Sequence, residues 1–238
     1  MPFWLKAIIF DLYETLVSEF DPARTPQPSM ATRLGVDETA FTALWRQLHA
    51  RRMTGDIADF TSAVRAICHR LGHTPNEPII TQLYQERQTA KARPFTHLAA
   101  DVLTMVTRLH ALSIKLGVLS NAACEEVSAW DTCAFTPFFD TVVFSYQVGL
   151  MKPDLRVYAL ACDRLGVSPA HTLFVGDGGS DELVGAATAG LTAYWARWFF
   201  EQWPSEKRSP TWRERASRFP SLSRPEDLLH LVQTRRSS

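Results

Sequence analysis

The stretch KAIIFDLYETLV, residues 6–17, decides how the rest of the chain is read. Its first half, through Phe10, is an apolar run without alternation, the look of a strand covered on both faces in a parallel sheet. The run stops at a carboxylate, Asp11. A carboxylate closing a buried strand is costly unless a cation or hydrogen-bond donors meet it, so Asp11 needs partners supplied by other parts of the chain. Tyr13 and Thr15 follow at alternate positions.

Similar runs recur outward from this one, at residues 114–119, 141–144, 172–175 and 191–195. Amphipathic helical patterns lie between them. Val102, Val106, Leu109 and Leu112 share helical spacing, and residues 155–165 begin behind Pro153-Asp154 and end at Gly166, an N-cap and a C-terminal glycine. Residues 181–189 end the same way at Gly190. Alternation of this kind predicts an α/β fold with a doubly wound parallel sheet.

Residues 18–92 break the alternation. Helical patterns at 38–52, 57–71 and 77–92 are separated by Gly55, Gly72 and Pro75, with no strand-like run among them. The expectation is an all-helical insertion, with a core formed by residues 1–17 and 93–238. Proline-rich residues 21–28 and Arg93-Pro94 are the expected hinges. Residues 197–220, rich in Trp, Phe, Arg and Pro, have no clear assignment. Residues 225–232 read as a terminal helix, followed by a frayed end over 234–238.

Composition narrows the function. The 238 residues are 46% hydrophobic, and 25 Lys+Arg balance 25 Asp+Glu. A formal net charge of zero argues against nucleic acid or an anionic membrane as partner. Four scattered cysteines suit small core residues in a reducing compartment. No segment reaches the ~20 apolar residues that span a bilayer. The opening run carries Lys6 and lacks a small-residue cleavage site, so the cytoplasm is the default location.

In an open α/β sheet, ligands bind beyond the carboxyl ends of the strands. Those ends carry Asp11, Tyr13 and Thr15, then Ser120-Asn121, then Lys152-Pro-Asp, then Gly176-Asp177-Gly-Gly-Ser-Asp181-Glu182. Each piece has an ordinary structural reading. Asn121 could cap a helix starting near Ala122, Asp181 could offset a helix dipole, Lys152 could be solvated, and the glycines could make a turn. Together and in this order they point to a site.

The four motifs resemble those of the haloacid dehalogenase superfamily of aspartate-nucleophile hydrolases, over roughly residues 6–195. The resemblance implies a Rossmann-like core with a helical cap after the first motif. Asp11 is implied as the nucleophile, Lys152 as the cation that neutralises it, and Ser120, Asn121 and Thr15 as substrate-binding groups. Mg²⁺ is implied as cofactor, held by Asp11, the Tyr13 carbonyl and Asp177, with Asp181 as direct or water-mediated support.

Tyr13 and Glu14 depart from the phosphatase pattern. Most phosphatases of the superfamily carry at position 13 an aspartate that protonates the leaving alcohol. Asp-x-Tyr is instead similar to the 2-haloacid dehalogenases, which work without metal. Tyr13 is the first candidate for the missing catalytic acid, since a phenol of pKa about 10 can donate a proton although it is a poor base near neutrality. Glycine is common at position 14, and Glu14 is a second candidate. Charge counting favours the metal. Two unit charges ~4 Å apart repel by roughly 4 kcal/mol at an effective dielectric near 20, so acids at 177 and 181 would repel an anionic substrate unless a divalent cation joins them. The expected function is Mg²⁺-dependent hydrolysis of a small phosphorylated metabolite. A 2-haloacid dehalogenase or a non-hydrolytic phosphate- or partner-binding protein is the alternative. The insertion offers Arg24, Arg33, Trp45, Arg46, His49, Arg51 and Arg52 as specificity candidates.

Overall fold

A computed structural model describes residues 5–23, 25–204 and 210–236. After β1 (Ala7–Phe10) come five helices: α1 (Met30–Leu34), α2 (Glu38–Gln47), α3 (His49–Met53), α4 (Phe60–Arg70) and α5 (Glu77–Thr96). Then follow α6 (Ala100–Ala111), β2 (Lys115–Ser120), β3 (Thr141–Phe144), α7 (Ser145–Val148), α8 (Leu155–Leu165) and β4 (Thr172–Gly176). The chain continues through α9 (Glu182–Thr188), β5 (Thr192–Ala196), α10 (Pro210–Ala216), β6 (Ser221–Leu222) and α11 (Pro225–Arg236).

The strands form one parallel sheet in the order β3-β2-β1-β4-β5-β6. β1 lies inside it with both faces covered, which is why its sequence shows no alternation. Ile8 and Phe10 pack into one cluster with Val102, Met105 and Val106 of α6 and Leu228 of α11. Ala7 and Ile9 pack into the other, with Val157 and Ala161 of α8 and Leu183 of α9. Burying each such large side chain stabilises the fold by about 1.5–3 kcal/mol. The order places the reversal of winding between β1 and β4, where a ligand crevice forms at the strand ends.

The expected strand at 191–195 starts one residue later, and β6 is an addition that no run of apolar residues announced. α8 begins and ends as expected: Asp154 caps its first turn and Gly166 closes it at φ 64°. The helix expected near Ala122 is instead a single 3₁₀ turn, Cys124–Glu126. α11 runs on through Arg236, and Ser237 and Ser238 lie outside the described residues.

The helical insertion has its own apolar clusters. One joins Phe60, Val64 and Cys68 of α4 to Ile80 and Leu83 of α5, and another joins Ala31, Phe41, Leu48 and Ile67. The expected helix over 38–52 breaks at Leu48 into α2 and α3. The expected hinge at Arg93-Pro94 lies inside α5, which continues to Thr96 and buries Phe95 against the core cluster. Proline fixes a helical φ, so the last turn survives the lost donor. At another contact with the core, Gly55 (φ 79°) comes so close to α7 that a Cβ would stand 2.5 Å from the Tyr146 carbonyl oxygen. Only glycine fits there.

Candidate active site

Asp11 leaves β1 with its amide donating to the Val175 carbonyl of β4 (2.9 Å), and its side chain is 9% exposed. The Lys152 ammonium, on the segment between α7 and α8, donates to Asp11 and to Glu182 (2.5 Å to the latter). Thr15 Oγ1 donates weakly to Asp11 at 3.4 Å. Lys152 is itself fixed by Asn121: the Asn121 side chain donates to the Lys152 carbonyl (2.9 Å) and accepts from its amide (2.7 Å). Asn121, expected to bind substrate, therefore has both polar side-chain atoms engaged in positioning the lysine. Ser120 is buried at the end of β2.

Asp11, Asp177 and Glu182 each offer a carboxylate oxygen within 4.8 Å of the others. Asp181, expected to support a metal, is not in this group. Its carboxylate is half-exposed and accepts from Arg215 of α10 at 2.7 and 2.9 Å. Backbone geometry explains the exchange. Gly178, Ser180 and Asp181 all take left-handed φ values of 93°, 54° and 54°, which turn the loop tightly and aim the next residue, Glu182, inward. Glu182 Oε1 accepts from the Gly178 amide at 3.0 Å, and its carbonyl accepts from Tyr158 at 2.8 Å. Gly176 is required beneath it, because a Cβ there would collide with the Glu182 carboxylate and approach Phe174 to 2.9 Å. The Asp177 carboxylate accepts from the Gly179 amide at 2.9 Å.

The electrostatics show what the cluster lacks. Burial, then the Glu182 and Asp11 carboxylates, push Asp177 well above the usual aspartate range. Burial and Asp11 push Glu182 up to about 7, against the pull of Lys152. Burial alone would lower Lys152, but Asp11 and Glu182 hold it above the ordinary lysine value. Three acids against one ammonium leave negative charge uncompensated, a setting that favours a further cation.

Tyr13 stands apart from the acids. Its hydroxyl donates to the Glu126 carbonyl, its ring meets Phe95 edge-on at 6.2 Å, and the Lys91 ammonium sits 4.7 Å above it. Burial, then Glu19 and Glu126, raise its pKa far beyond the usual phenol value. Around it lies an ionic cluster that the sequence did not announce. Arg87 of α5 meets Glu125 at 3.0 Å and Glu126 at 2.5 Å, Lys91 lies 3.5 Å from Glu126, and Arg52 stands 3.9 Å from it. Burial works against ionisation of Glu126, but Lys91 and Arg87 hold its carboxyl below the usual range.

Of the specificity candidates on the insertion, Arg52 joins this cluster directly, stacked 3.8 Å over Trp45, and His49 lies near enough for Arg52 and Glu126 to act on its imidazole. Arg33 pairs with Glu86, Arg46, His49 and Arg51 are exposed, and Arg24 lies outside the described residues. A cavity of about 780 Å³ opens beside Arg87 and Lys91, floored by Phe60 and Leu83, but shares no residue with the acid group.

A family model for haloacid dehalogenase-like hydrolases matches residues 5–190. The chain belongs to that family. Two kinds of relative are among its matches. The glyceraldehyde 3-phosphate phosphatase of Methanothermobacter thermautotrophicus is 25% identical over 203 residues, 79% of this chain and 84% of that protein. The (S)-2-haloacid dehalogenase of Xanthobacter autotrophicus is 31% identical over 187 residues, 74% of this chain and 69% of that protein. Among solved structures, 2-haloacid dehalogenase from Pseudomonas syringae pv. Tomato DC3000 superposes with a TM-score of 0.61 at 21% identity, covering 97% of this chain and 99% of that one. The magnesium-bound HAD-hydrolase YfnB from Bacillus subtilis gives 0.60 at 19% identity, covering 96% and 98%. At these identities the structural likeness establishes the fold.

The chain is thus a hydrolase of this family. Glu182 was the residue that sequence reasoning quoted without a role. Its signal was the glycine at 176, which leaves room for a side chain returning five residues after Asp177.

Proposed function

We propose that this hydrolase is a Mg²⁺-dependent phosphatase acting on a small phosphorylated metabolite through an aspartyl-phosphate on Asp11. One observation carries the reading: the carboxylates of Asp11, Asp177 and Glu182 lie within 4.8 Å of each other with a single ammonium among them. An anionic phosphate ester could not approach that charge unaided. The donor set is all oxygen, which suits Mg²⁺. Asp11, Asp177 and Glu182, with the Tyr13 carbonyl that the family resemblance implies, would hold the ion, which would supply neutralisation and Lewis-acid polarisation of a phosphoryl oxygen.

The chain's own groups divide the remaining work. Asp11 attacks phosphorus through one carboxylate oxygen, and the bond from phosphorus to the ester oxygen breaks. Water then cleaves the acyl phosphate and restores the carboxylate. Lys152 neutralises Asp11 and the incoming phosphate, and Asn121 fixes the lysine backbone. Ser120, at the end of β2, and Thr15, on the loop after β1 where its hydroxyl donates to Asp11, would serve phosphoryl oxygens. Neither Tyr13 nor Glu14 is free to protonate the leaving group: the first donates to Glu126, and the carboxylate of the second accepts from Ser18, Glu19 and Trp203. Good leaving groups are therefore favoured over alkyl phosphates, because general acid catalysis contributes typically 10²–10⁴-fold. The helical insertion acts as the cap that closes over the substrate. Four free cysteines suit a reducing, cytoplasmic setting.

The test is hydrolysis of p-nitrophenyl phosphate and a panel of phosphorylated metabolites with Mg²⁺ and with EDTA. Turnover that survives complete chelation counts against the reading. A second reading, 2-haloacid dehalogenase, is favoured by Tyr13 and by the 31%-identical relative. Chloride release from 2-chloropropionate, abolished in Asp11→Asn, would replace the first reading.

A further inference from the structure

Glu14 occupies a position its backbone would rather give to glycine. Its φ is 56°, in the left-handed region, where glutamate is strained. The structure shows what the side chain gains there. Glu14 Oε2 accepts from Ser18 Oγ at 2.8 Å and from Trp203 Nε1 at 2.7 Å, and Oε1 accepts from the Glu19 amide at 2.7 Å. Ser18 Oγ in turn accepts from the Phe20 amide at 3.1 Å, and the Phe20 ring meets Trp203 edge-on at 5.5 Å.

These contacts lie where the chain leaves the nucleophile loop for the helical insertion. Trp203 belongs to the aromatic segment after β5, whose Trp198 also grips the loop, donating to the Thr15 carbonyl at 2.8 Å. On the other side, Glu19 pairs with Lys91 of α5 at 2.7 Å, and Lys91 covers Tyr13. A continuous chain of contacts thus runs from the aromatic segment through Glu14 and Glu19 to the helix that returns the insertion to the core.

We propose that Glu14 is a positioning residue whose carboxylate ties the connection Ser18–Phe20 to Trp203, fixing the insertion relative to the Asp11 loop and so setting substrate affinity. The kinetic part rests on reading the insertion as a cap over the substrate; the structural part does not. Glycine at 14 would relax the backbone but release the connection. Glutamine would keep one acceptor for the Glu19 amide and present an NH₂ to the Ser18 and Trp203 donors. Trp203→Phe would keep the ring against Phe20 and delete the indole donor.

The experiment reads amide hydrogen exchange at Glu19 and Phe20 by NMR, together with kcat and KM for p-nitrophenyl phosphate. Exchange at Glu19 is expected to quicken at least tenfold in Glu14→Gly and by a smaller factor in Glu14→Gln and Trp203→Phe. KM should rise at least fivefold in Glu14→Gly with kcat within threefold of wild type. A purely structural role would speed exchange across the sheet and lower active fraction without this split. Glu19 exchange within twofold of wild type in Glu14→Gly overturns the proposal; if that variant does not fold, the same result in both other variants does. Loss of kcat at constant KM also overturns it. If no phosphate ester is turned over, the phosphatase reading fails, while exchange at Glu19 still decides the role of Glu14.

Discussion

Replacing Asp177 with asparagine should make the metal-free protein more stable while removing its activity. The substitution keeps an oxygen for the Gly179 amide, which now donates to Asp177 Oδ1 at 2.9 Å, and deletes one charge from three. Carboxylates within 4.8 Å repel by about 3.5 kcal/mol per pair at an effective dielectric of ~20. Asp177 faces two such neighbours. Lys152 offsets about one pair, and retention of a proton within the cluster relieves part of the other, so about 2 kcal/mol of relief remains. For a chain of this size that corresponds to a rise in Tm of about 4–8 °C. The assay is thermal unfolding of both proteins in EDTA and in Mg²⁺. Wild type should gain from the ion by mass action, about 2.7 kcal/mol at a hundredfold excess over Kd, and Asp177→Asn should gain little. The order of the two melting temperatures would then invert between the buffers, with hydrolysis lost by at least ~10²-fold in the variant. A variant less stable than wild type in EDTA, or one that gains equally from Mg²⁺, would refute the charge argument.

Lys152→Met should act in the opposite direction, destabilising by about 3–5 kcal/mol because it strands the buried carboxylates of Asp11 and Glu182; urea unfolding in EDTA measures it. Gly176→Ala should displace the Glu182 carboxylate and abolish stabilisation by Mg²⁺ in a thermal melt, while far-UV circular dichroism stays that of wild type. Asp59→Ala should cost about 1 kcal/mol at pH 7 through loss of the α4 cap, where Asp59 Oδ1 accepts from the Ser62 amide at 2.7 Å. Burial opposes ionisation of Asp59, but the Ser62 and Thr61 hydrogen bonds win and hold its pKa below the ordinary 3.8. A depressed acid contributes stability that is present above its unfolded pKa and lost as pH falls through the folded one. The gap between wild type and Asp59→Ala in denaturant midpoint should accordingly close between about pH 4 and lower pH.

Sequence legibility tracked how local each signal was. β1, β3 and α8 could be read directly, because a covered parallel strand and a capped amphipathic helix write their pattern into adjacent residues. Asp11, Lys152 and Asp177 could be read as a set because each follows or closely precedes a core element. Glu182 was harder to read, since its inward turn depends on consecutive left-handed φ values at Ser180 and Asp181, which are uncommon for any residue but glycine even though aspartate tolerates them better than most. β6 has two residues, too few for any period. The ionic cluster of Arg52, Arg87, Glu125 and Glu126 joins segments up to 74 positions apart (126 less 52), and charge alone does not reveal partners at that separation. Pro94 was harder to place, because proline commonly ends a helix by removing a donor, yet here α5 continues past it and its last turn closes on the Arg93 carbonyl.

Position 13 and position 177 point to different chemistries, and the structure weighs them unequally. Tyr13 resembles the dehalogenase motif, yet its hydroxyl donates to the Glu126 carbonyl and its ring lies beneath Lys91, so it docks the loop against the ionic cluster. A tyrosine there is compatible with either reaction. The acids at 177 and 182 favour the proposed metal-dependent reaction. A 2-haloacid brings its own carboxylate, and within ~4 Å of three others it would meet repulsion of several kcal/mol that one ammonium cannot cancel. A phosphate ester meets the same repulsion but carries oxygens that a divalent ion can bridge to those acids. On the phosphatase reading proposed above, the cluster selects for a substrate that arrives with a metal. On the same reading, the engagement of Tyr13 by Glu126 and of Glu14 by Ser18, Glu19 and Trp203 limits which such substrates react quickly. Aryl or acyl phosphates, whose leaving groups need no proton, should exceed alkyl phosphates in kcat/KM by a factor of at least ~10².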